Sequence, residues 1–301
     1  MRAFDRLIVT GLPLVPKPIV GRVAARYVAG ETLDDAVEVV RSLNASGAMV
    51  TLDLLGEEVS ERAKATASTE EILRILETIH RLGLDANVSI KPTMLGLKID
   101  EGFCRESIER IVASAKSFGN FVRIDMEDAS TTDATLRIWN DLFARYGNVG
   151  VVLQAYMRRT LSDIAALPAE GVNIRLCKGI YVEPRRIAWK GYHTVRANYV
   201  AALEKLIVQG IYPAIATHDE YLVCAALALI DKHRLARERY EFQMLLGVDP
   251  ELRGILLAAG HRLRVYVPYG RDWYPYSTRR LRENPEIARH VLRSMFRRKP
   301  G

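Results

Sequence analysis

Residues 264–284 read RVYVPYGRDWYPYSTRRLREN, and this stretch contains one strand, one loop and one helix in succession. The alternating pattern predicts a strand from Arg264 to Val267, which Pro268 and Gly270 bring to an end. We expect the helix to begin at Pro275, because proline is favoured at the first position of a helix. A strand followed by a loop and a helix is the repeating unit of α/β folds.

Seven similar segments precede this unit. From Gly47 onward, short apolar runs rich in β-branched residues alternate with segments such as Thr69–Leu82 and Cys104–Phe118, whose apolar residues have helical spacing. Eight strand–helix units over about 250 residues predict a (β/α)8 TIM-type barrel, with a doubly wound open sheet as the alternative. The predicted strands are Ala48–Leu54, Ala86–Lys91, Phe121–Met126, Val149–Tyr156, Val172–Lys178, Tyr212–His218, Tyr240–Leu245 and Arg262–Val267.

The whole chain, residues 1–301, is expected to form this one domain. Residues 1–46 are predicted to form extra, peripheral N-terminal helices, one of them capped by Thr32. Residues 47–284 are expected to form the barrel and the helix that carries Arg279 and Arg280. Residues 285–301 are predicted to form a basic C-terminal helix.

The chain is basic, but its charge is concentrated near its end. Of the net charge of +7, residues 261–301 contribute eleven Lys or Arg against three Asp or Glu. Such a segment can meet nucleic acid, an anionic membrane surface or an acidic ligand. No zinc-finger spacing or RNA-recognition signature accompanies it, so we expect no nucleic-acid partner.

The cysteine usage indicates a reducing compartment. Cys104, Cys177 and Cys224 are far apart and form no C-x-x-C pair, so neither disulfides nor a cysteine metal site is expected. The longest apolar run, Leu222–Ile230, is too short to cross a bilayer. These features predict a cytoplasmic protein without a metal.

The helix after the last strand carries a candidate carboxylate site. Tyr276, Arg279 and Arg280 are spaced i, i+3 and i+4, which places a phenol and two guanidinium groups on one helical face. Solvated faces rarely carry many aromatic side chains. Here five lie within one unit: Tyr266, Tyr269, Trp273, Tyr274 and Tyr276.

Polar residues also end six successive predicted strands. The ends read SIKPT (89–93), IDMED (124–128), LQAY (153–156), IRLCKGIY (174–181), ATHD (216–219) and EFQML (241–245). Barrel enzymes carry their catalytic groups where the strands end, and charges buried there are costly unless they are paired or bound to a ligand. The set therefore predicts an active site. The chain has no G-x-G-x-x-G, Walker, H-E-x-x-H or G-x-S-x-G motif, which argues against a Rossmann, P-loop, zinc or acyl-transfer site.

These motifs, in this order, together with the run Tyr266–Asn284, resemble those of the proline dehydrogenase family in its short, single-activity form. The resemblance implies an FAD-dependent oxidation of L-proline to Δ1-pyrroline-5-carboxylate, the first step of proline catabolism to glutamate, with electrons passed on to a quinone. The basic C-terminal segment adds the expectation that this soluble enzyme makes peripheral contact with the membrane, and a transient contact with pyrroline-5-carboxylate dehydrogenase is also expected.

The resemblance assigns roles to individual residues. Asp125 and Arg175 are implied as the catalytic pair beside the reactive edge of the flavin. The substrate-binding residues implied are Lys91, Arg279, Arg280, Tyr266, Tyr276 and Leu245, of which the two arginines hold the carboxylate. The FAD-binding residues implied are Met126, Gln154, Arg175, Lys178, Gly179, Ile180, Thr217, His218 and Gln243. The group that removes the proton from the amine stays open, because Asp125 can equally serve to balance the charge of Lys91.

Two other functions fit parts of the sequence. A Schiff-base aldolase on the same barrel would use Lys91 or Lys178 as its nucleophile. A basic nucleic-acid-binding module would explain the C-terminal charge but would leave the polar strand ends without a purpose.

Overall fold

Eight parallel strands close into a barrel in the computed structural model, which describes residues 25–56, 58–168, 170–274 and 277. Each strand pairs with the next one in the chain, and the last pairs with the first, with Val50 opposite Val265. The barrel predicted from the sequence is therefore confirmed, and the open sheet is wrong. The strands are β1 (Met49–Leu54), β2 (Ala86–Ile90), β3 (Val122–Ile124), β4 (Val149–Gln154), β5 (Asn173–Cys177), β6 (Tyr212–Ala216), β7 (Glu241–Leu245) and β8 (Leu263–Tyr269).

Helices connect the strands around the outside. Within the described ranges they are α1 (Leu33–Ala45), α2 (Arg62–Leu82), α3 (Glu101–Ser117), α4 (Thr132–Tyr146), α5 (Thr160–Ala165), α6 (Tyr192–Val208), α7 (Glu220–Lys232) and α8 (Pro250–Ala258). The predicted cap at Thr32 is present as a reciprocal pair with Asp35. The Thr32 hydroxyl accepts from the Asp35 N–H at 3.2 Å, and the Asp35 carboxylate accepts from the Thr32 N–H at 2.9 Å.

The apolar core lies between the strands and the helices. Because side chains alternate along a strand, one set on each strand faces outward, and most of this set is Val, Ile, Leu, Met or Phe. Val50, Ile90, Val122, Ile174 and Phe242 are all at most 1% exposed. Fully burying such a side chain is worth about 1.5–3 kcal/mol, so this layer drives the closure of the barrel.

The other set of strand side chains fills the barrel interior, and much of it is polar. Side chains from strands that are not neighbours meet there; for example, Arg175 on β5 contacts Gln243 on β7. The interior of such barrels is usually filled by bulky branched apolar residues, so this polar filling is a departure. Its polar members are Thr51, Asp53, Asn87, Ser89, Arg123, Asn173, Arg175, Glu241, Gln243, Arg264 and Tyr266.

The predicted strands all exist, with shifts of at most two residues at their ends, and β8 is longer than expected. It continues through Pro268 to Tyr269, and Pro268 lies opposite Asp53 of β1. The prediction that Pro268 breaks the strand is therefore wrong. β7 has already ended at Leu245, and the Pro268 carbonyl accepts from Ala29 N–H at 2.9 Å, so the missing N–H of proline falls where no β7 partner requires it.

Several predicted features lie outside the described residues. They are the first part of the N-terminal helices, the helix start at Pro275, Tyr276, Arg279, Arg280 and the basic segment 285–301. The predicted division of the chain at residues 46 and 284 stays a prediction.

Candidate active site

A buried ion pair occupies the carboxyl ends of β1 and β2. The Lys91 ammonium lies 2.5 Å from Asp53 Oδ1, and the two side chains are 8% and 0% exposed. Burial raises the pKa of Asp53 above its ordinary value, against the attraction of Lys91, and the nearby Asp125 adds to the rise. Lys91 also contacts the Tyr266 hydroxyl at 3.4 Å, which connects this pair to β8, the neighbour of β1.

Asp125, directly after β3, accepts hydrogen bonds from three elements. Arg175 donates through Nη1 to Oδ1 at 2.5 Å, and the Ser89 hydroxyl donates to the same oxygen at 2.8 Å. The Tyr266 hydroxyl donates to Oδ2 at 2.9 Å. The Arg175 guanidinium also lies over the Tyr266 ring, 5.2 Å from its centroid. The network therefore fixes both the position and the plane of the guanidinium.

Arg175 is held on its other side by β7. Its Nε donates to Gln243 Oε1 at 2.5 Å, and the Gln243 amide donates to Glu241 Oε1 at 2.5 Å. Glu241 in turn pairs with Arg264 at 2.9 Å. Burial would raise the pKa of Glu241, but Arg264 and the other donors hold it below its ordinary value, so the carboxylate is charged. This charge fixes which end of the Gln243 amide faces Arg175.

A fully buried arginine lies beneath this layer. Arg123 donates through Nη1 to the carbonyls of Val151 at 3.0 Å and Asn173 at 2.6 Å, and through Nη2 to the Asn173 side chain. Burial, together with repulsion from Arg175, lowers the pKa of Arg123 to about 9. Its role is to satisfy backbone carbonyls inside the barrel.

The carboxyl ends of β5 and β6 carry a second charged group of residues. Lys178 lies 3.1 Å from Asp219, which also pairs with Arg196 on α6. Thr217 accepts the Asp219 N–H at 3.0 Å through its hydroxyl. Burial acts to raise the pKa of Asp219, but the hydrogen bonds from Arg196 and Lys178 lower it to about 2.

The remaining predicted cofactor residues lie on the same rim. The Gln154 amide donates to the Glu127 carbonyl at 2.9 Å, and Met126 is buried beside them. His218 Nε2 accepts the Leu245 N–H at 2.8 Å, so the proton of the neutral ring is on Nδ1. Of the described residues in the predicted set, Arg175, Gln243 and Tyr266 thus lie within β5, β7 and β8, and the others lie at or directly after the carboxyl ends of the strands.

Several participants were not predicted as site residues from the sequence, among them Asp53, Ser89, Glu241 and Asp219. Asp53 interrupts the apolar run of β1, a signal equivalent to the one used for the other strand ends. Ser89, Glu241 and Asp219 lie within the strand-end motifs, but each has a partner on another strand or helix. Within the described ranges, no group of three His, Cys, Asp or Glu side chains could hold a metal ion. None of the described helices is long and apolar enough to cross a membrane.

A closed parallel barrel whose ionised side chains gather at the carboxyl ends of the strands is a (β/α)8-barrel enzyme. Residues 36–293 match the family model described as proline dehydrogenase, so the chain belongs to the proline dehydrogenase family. It is 38% identical to a proline dehydrogenase of Deinococcus radiodurans over 279 residues, which cover 91% of this chain and 90% of that protein. It is also 37% identical to proline dehydrogenase 2 of Bacillus subtilis, with 92% of both chains covered.

The fold has a solved counterpart. The structure of proline utilization A (PutA) from Bdellovibrio bacteriovorus, inactivated by N-propargylglycine, superposes with a TM-score of 0.83 at 23% identity. The match covers 93% of this chain and 34% of the Bdellovibrio chain. The family model and the relatives confirm the resemblance inferred from the strand-end motifs, and the fold is shared with a larger protein.

Proposed function

We propose that the protein oxidises L-proline to Δ1-pyrroline-5-carboxylate, the first step of proline catabolism to glutamate, with FAD as the hydride acceptor. The observation that carries this proposal is the continuous chain of contacts from Asp53 through Lys91, Tyr266, Asp125 and Arg175 at the mouth of the barrel. It combines fixed charges with an aromatic wall, which suits a small zwitterion with an apolar ring.

The substrate site combines described and undescribed residues. We propose that Arg279 and Arg280 bind the carboxylate of proline, with Lys91 beside them, and that Tyr266, Tyr276 and Leu245 enclose the ring. Two arginines can grip both carboxylate oxygens, and each charge-assisted bond is worth roughly 1.5–3 kcal/mol. A proline held in this way has few orientations left, and such positioning is the main contribution of a protein to hydride transfer.

The residues at the ends of β4, β5 and β6 fit a flavin dinucleotide. Gly179 has a φ of 102°, and a Cβ on it would overlap the Tyr156 ring, so glycine is required for the backbone to pass this close to the ring. Next to it Ile180 is 41% exposed, an apolar side chain left open beside the cationic Lys178. Apolar area beside cations and amide groups is the chemistry that a flavin with a diphosphate requires. The FAD-binding residues proposed are Met126, Gln154, Arg175, Lys178, Gly179, Ile180, Thr217, His218 and Gln243.

The charges of the barrel give Arg175 its role. When bound, FAD supplies a ring system that accepts the hydride. Lys91, Arg123, Arg175 and Arg264 lie inside the barrel or at its mouth, near the carboxyl groups of Asp53, Asp125 and Glu241. Arg175 is held at the mouth by three neighbours, so it is placed to stabilise negative charge that develops there.

Asp125 and Arg175 remain the proposed catalytic pair, with different tasks. Both oxygens of Asp125 already accept from Arg175, Ser89 or Tyr266, so we assign it the task of orienting the guanidinium and the phenol. The aldolase alternative is not supported, because both candidate lysines are engaged in ion pairs and the family is an oxidoreductase family. The nucleic-acid alternative finds no support in the family assignment.

We further propose that the electrons pass to a membrane quinone, and that the enzyme works in the cytoplasm with its basic C-terminal segment at the inner face of the membrane. Each well-placed cation near an anionic surface contributes about 1 kcal/mol. The imine product is then open to a second oxidation by pyrroline-5-carboxylate dehydrogenase in transient contact with this protein. Flotation with anionic and with zwitterionic vesicles tests the membrane contact, and equal recovery in both at low salt would contradict it.

The visible absorption spectrum of the purified protein tests the proposed reaction. We expect a flavin spectrum that loses its colour when L-proline is added without oxygen and regains it when a soluble quinone follows. D-proline is the matched control, because its carboxylate is attached with the opposite hand, so a molecule held by its carboxylate would present its ring differently. A protein that takes up no FAD, or whose flavin is unchanged by L-proline, would contradict the proposal.

A further inference from the structure

Asp219 joins two cations at the rim of the barrel. Its carboxylate accepts from Arg196 Nε at 2.8 Å and Nη2, from Lys178 at 3.1 Å and from the Tyr192 hydroxyl at 3.2 Å. The Asp219 side chain is almost completely buried, at 4% exposed, while the two cations reach the surface. One carboxylate thus holds two cations in a fixed arrangement and leaves one positive charge in excess.

Two tyrosine rings enclose the Arg196 guanidinium. Its Cζ lies 4.2 Å from the ring centroid of Tyr192 and 4.7 Å from that of Tyr221. Such stacking fixes the plane of the guanidinium and leaves its edge available. Asp219 accepts from Nε and Nη2 of this guanidinium and does not use Nη1.

The surface around this cluster is unusually apolar. Six large apolar side chains are exposed in the described residues, and four of them, Ile180, Val182, Tyr192 and Tyr221, lie on the segments that follow β5 and β6. Tyr192 and Tyr221 are each 56% exposed. A solvated salt bridge does not require this apolar surface, whereas a nucleotide presents both a flat base to cover it and phosphates to pair with the cations.

We propose that Lys178 and Arg196, held by Asp219, bind the diphosphate of the dinucleotide cofactor, and that Tyr192 and Tyr221 cover its adenosine. The proposal rests on the proposed function and extends the cofactor site beyond the strand ends to α6 and α7. Asp219 acts as a positioning residue, whereas Arg196 contacts the ligand. The site thereby selects FAD over flavins that lack the diphosphate and adenosine.

The test measures flavin binding instead of turnover. The full-length chain, freed of flavin, is titrated with FAD, FMN and riboflavin while flavin fluorescence is followed. Arg196→Gln is expected to raise the Kd for FAD by about tenfold or more, equivalent to about 1.4 kcal/mol, and to leave the Kd for riboflavin nearly unchanged. Asp219→Asn should also weaken FAD binding, although it adds positive charge, because both cations lose their common anchor.

Glu204→Gln is the matched control. Glu204 also joins two groups, Lys232 at 2.6 Å and His233 at 3.1 Å, between α6 and α7, but without flanking tyrosine rings. We expect the Glu204→Gln variant to bind FAD with the same Kd as the unaltered protein. Equal FAD affinity in Arg196→Gln, tighter binding in Asp219→Asn, or equal losses for all three flavins would overturn the proposal. A chain that binds FAD and is reduced by proline but shows one of these results refutes the subsite alone, whereas a chain that binds no flavin refutes the proposed function as well.

Discussion

Replacing Glu241 with glutamine removes a buried negative charge from the barrel interior. Glu241 accepts from Arg264 Nε at 2.9 Å and Nη2 at 3.2 Å, and from Gln243 at 2.5 Å. Breaking a buried pair by removing one partner costs about 3–5 kcal/mol, because the other charge stays buried. Glutamine still offers one acceptor to Arg264, so we expect a loss of about 3 kcal/mol in the free energy of unfolding, measured by urea denaturation followed by circular dichroism.

Two further variants determine whether the buried charge causes the expected loss of stability in Glu241→Gln. Glu101→Gln breaks the Arg137–Glu101 pair, which is 2.9 Å long but has side chains 62% and 46% exposed, so a loss of less than about 1 kcal/mol is expected. Glu241→Gln combined with Arg264→Met removes both buried charges and should recover most of the loss. A single variant as stable as the control, or a double variant showing the sum of two large losses, would refute the reasoning.

Three other changes test separate parts of the site. Arg280→Lys is expected to raise the KM for proline by about tenfold or more, because a point charge cannot replace a planar fork, and an unchanged KM would remove Arg280 from the carboxylate site. Lys91→Met should lower the free energy of unfolding by about 3–5 kcal/mol, because it leaves the Asp53 carboxylate buried without its cation. Adding Asp53→Asn to it should recover most of this loss, and a larger loss would contradict the pairing. Asp219 has a pKa of about 2 in the folded protein, against an ordinary value of 3.8, so its carboxylate stabilises the fold above about pH 4 and this contribution fades as the pH falls toward 2. Asp219→Asn should therefore be less stable by about 2 kcal/mol at pH 6 and approach the unaltered protein in acid, whereas a pH-independent difference in urea unfolding would exclude this account.

The barrel could be predicted from the sequence because the outward face of each strand consists mainly of apolar residues. Runs such as Val149–Gln154 are apolar and β-branched on the side that meets the helices, and their spacing along the chain leaves room for one helix between each two strands. The ends were less predictable. Proline breaks a strand only where a neighbouring strand needs its N–H. At Pro268 this is decided by the end of β7 at Leu245, more than twenty residues away in the chain, which the local sequence does not show.

The partners within the site could not be predicted, for a related reason. A sequence shows that Lys91 follows one strand and that Asp53 lies in another, but the register between β1 and β2, with Asp53 opposite Ser89, decides that they meet. The same holds for Arg175, whose partners come from β2, β3 and β7. The Asp219 cluster depends in addition on α6, because Arg196 and Tyr192 reach the rim only through the start of that helix.

The polar interior connects these observations with the proposed reaction. A barrel filled with branched apolar residues would avoid the free-energy cost of burying charges, each of which must be matched by a partner. Here the lower charges, Glu241 and Arg264, orient the Gln243 amide, and the amide orients Arg175 at the mouth. A guanidinium held in this way does not need to reorganise when negative charge arrives beside it, which is the condition under which an electrostatic contact lowers a reaction barrier. The buried pair beneath the site is thus expected to influence the rate of hydride transfer without touching either reactant.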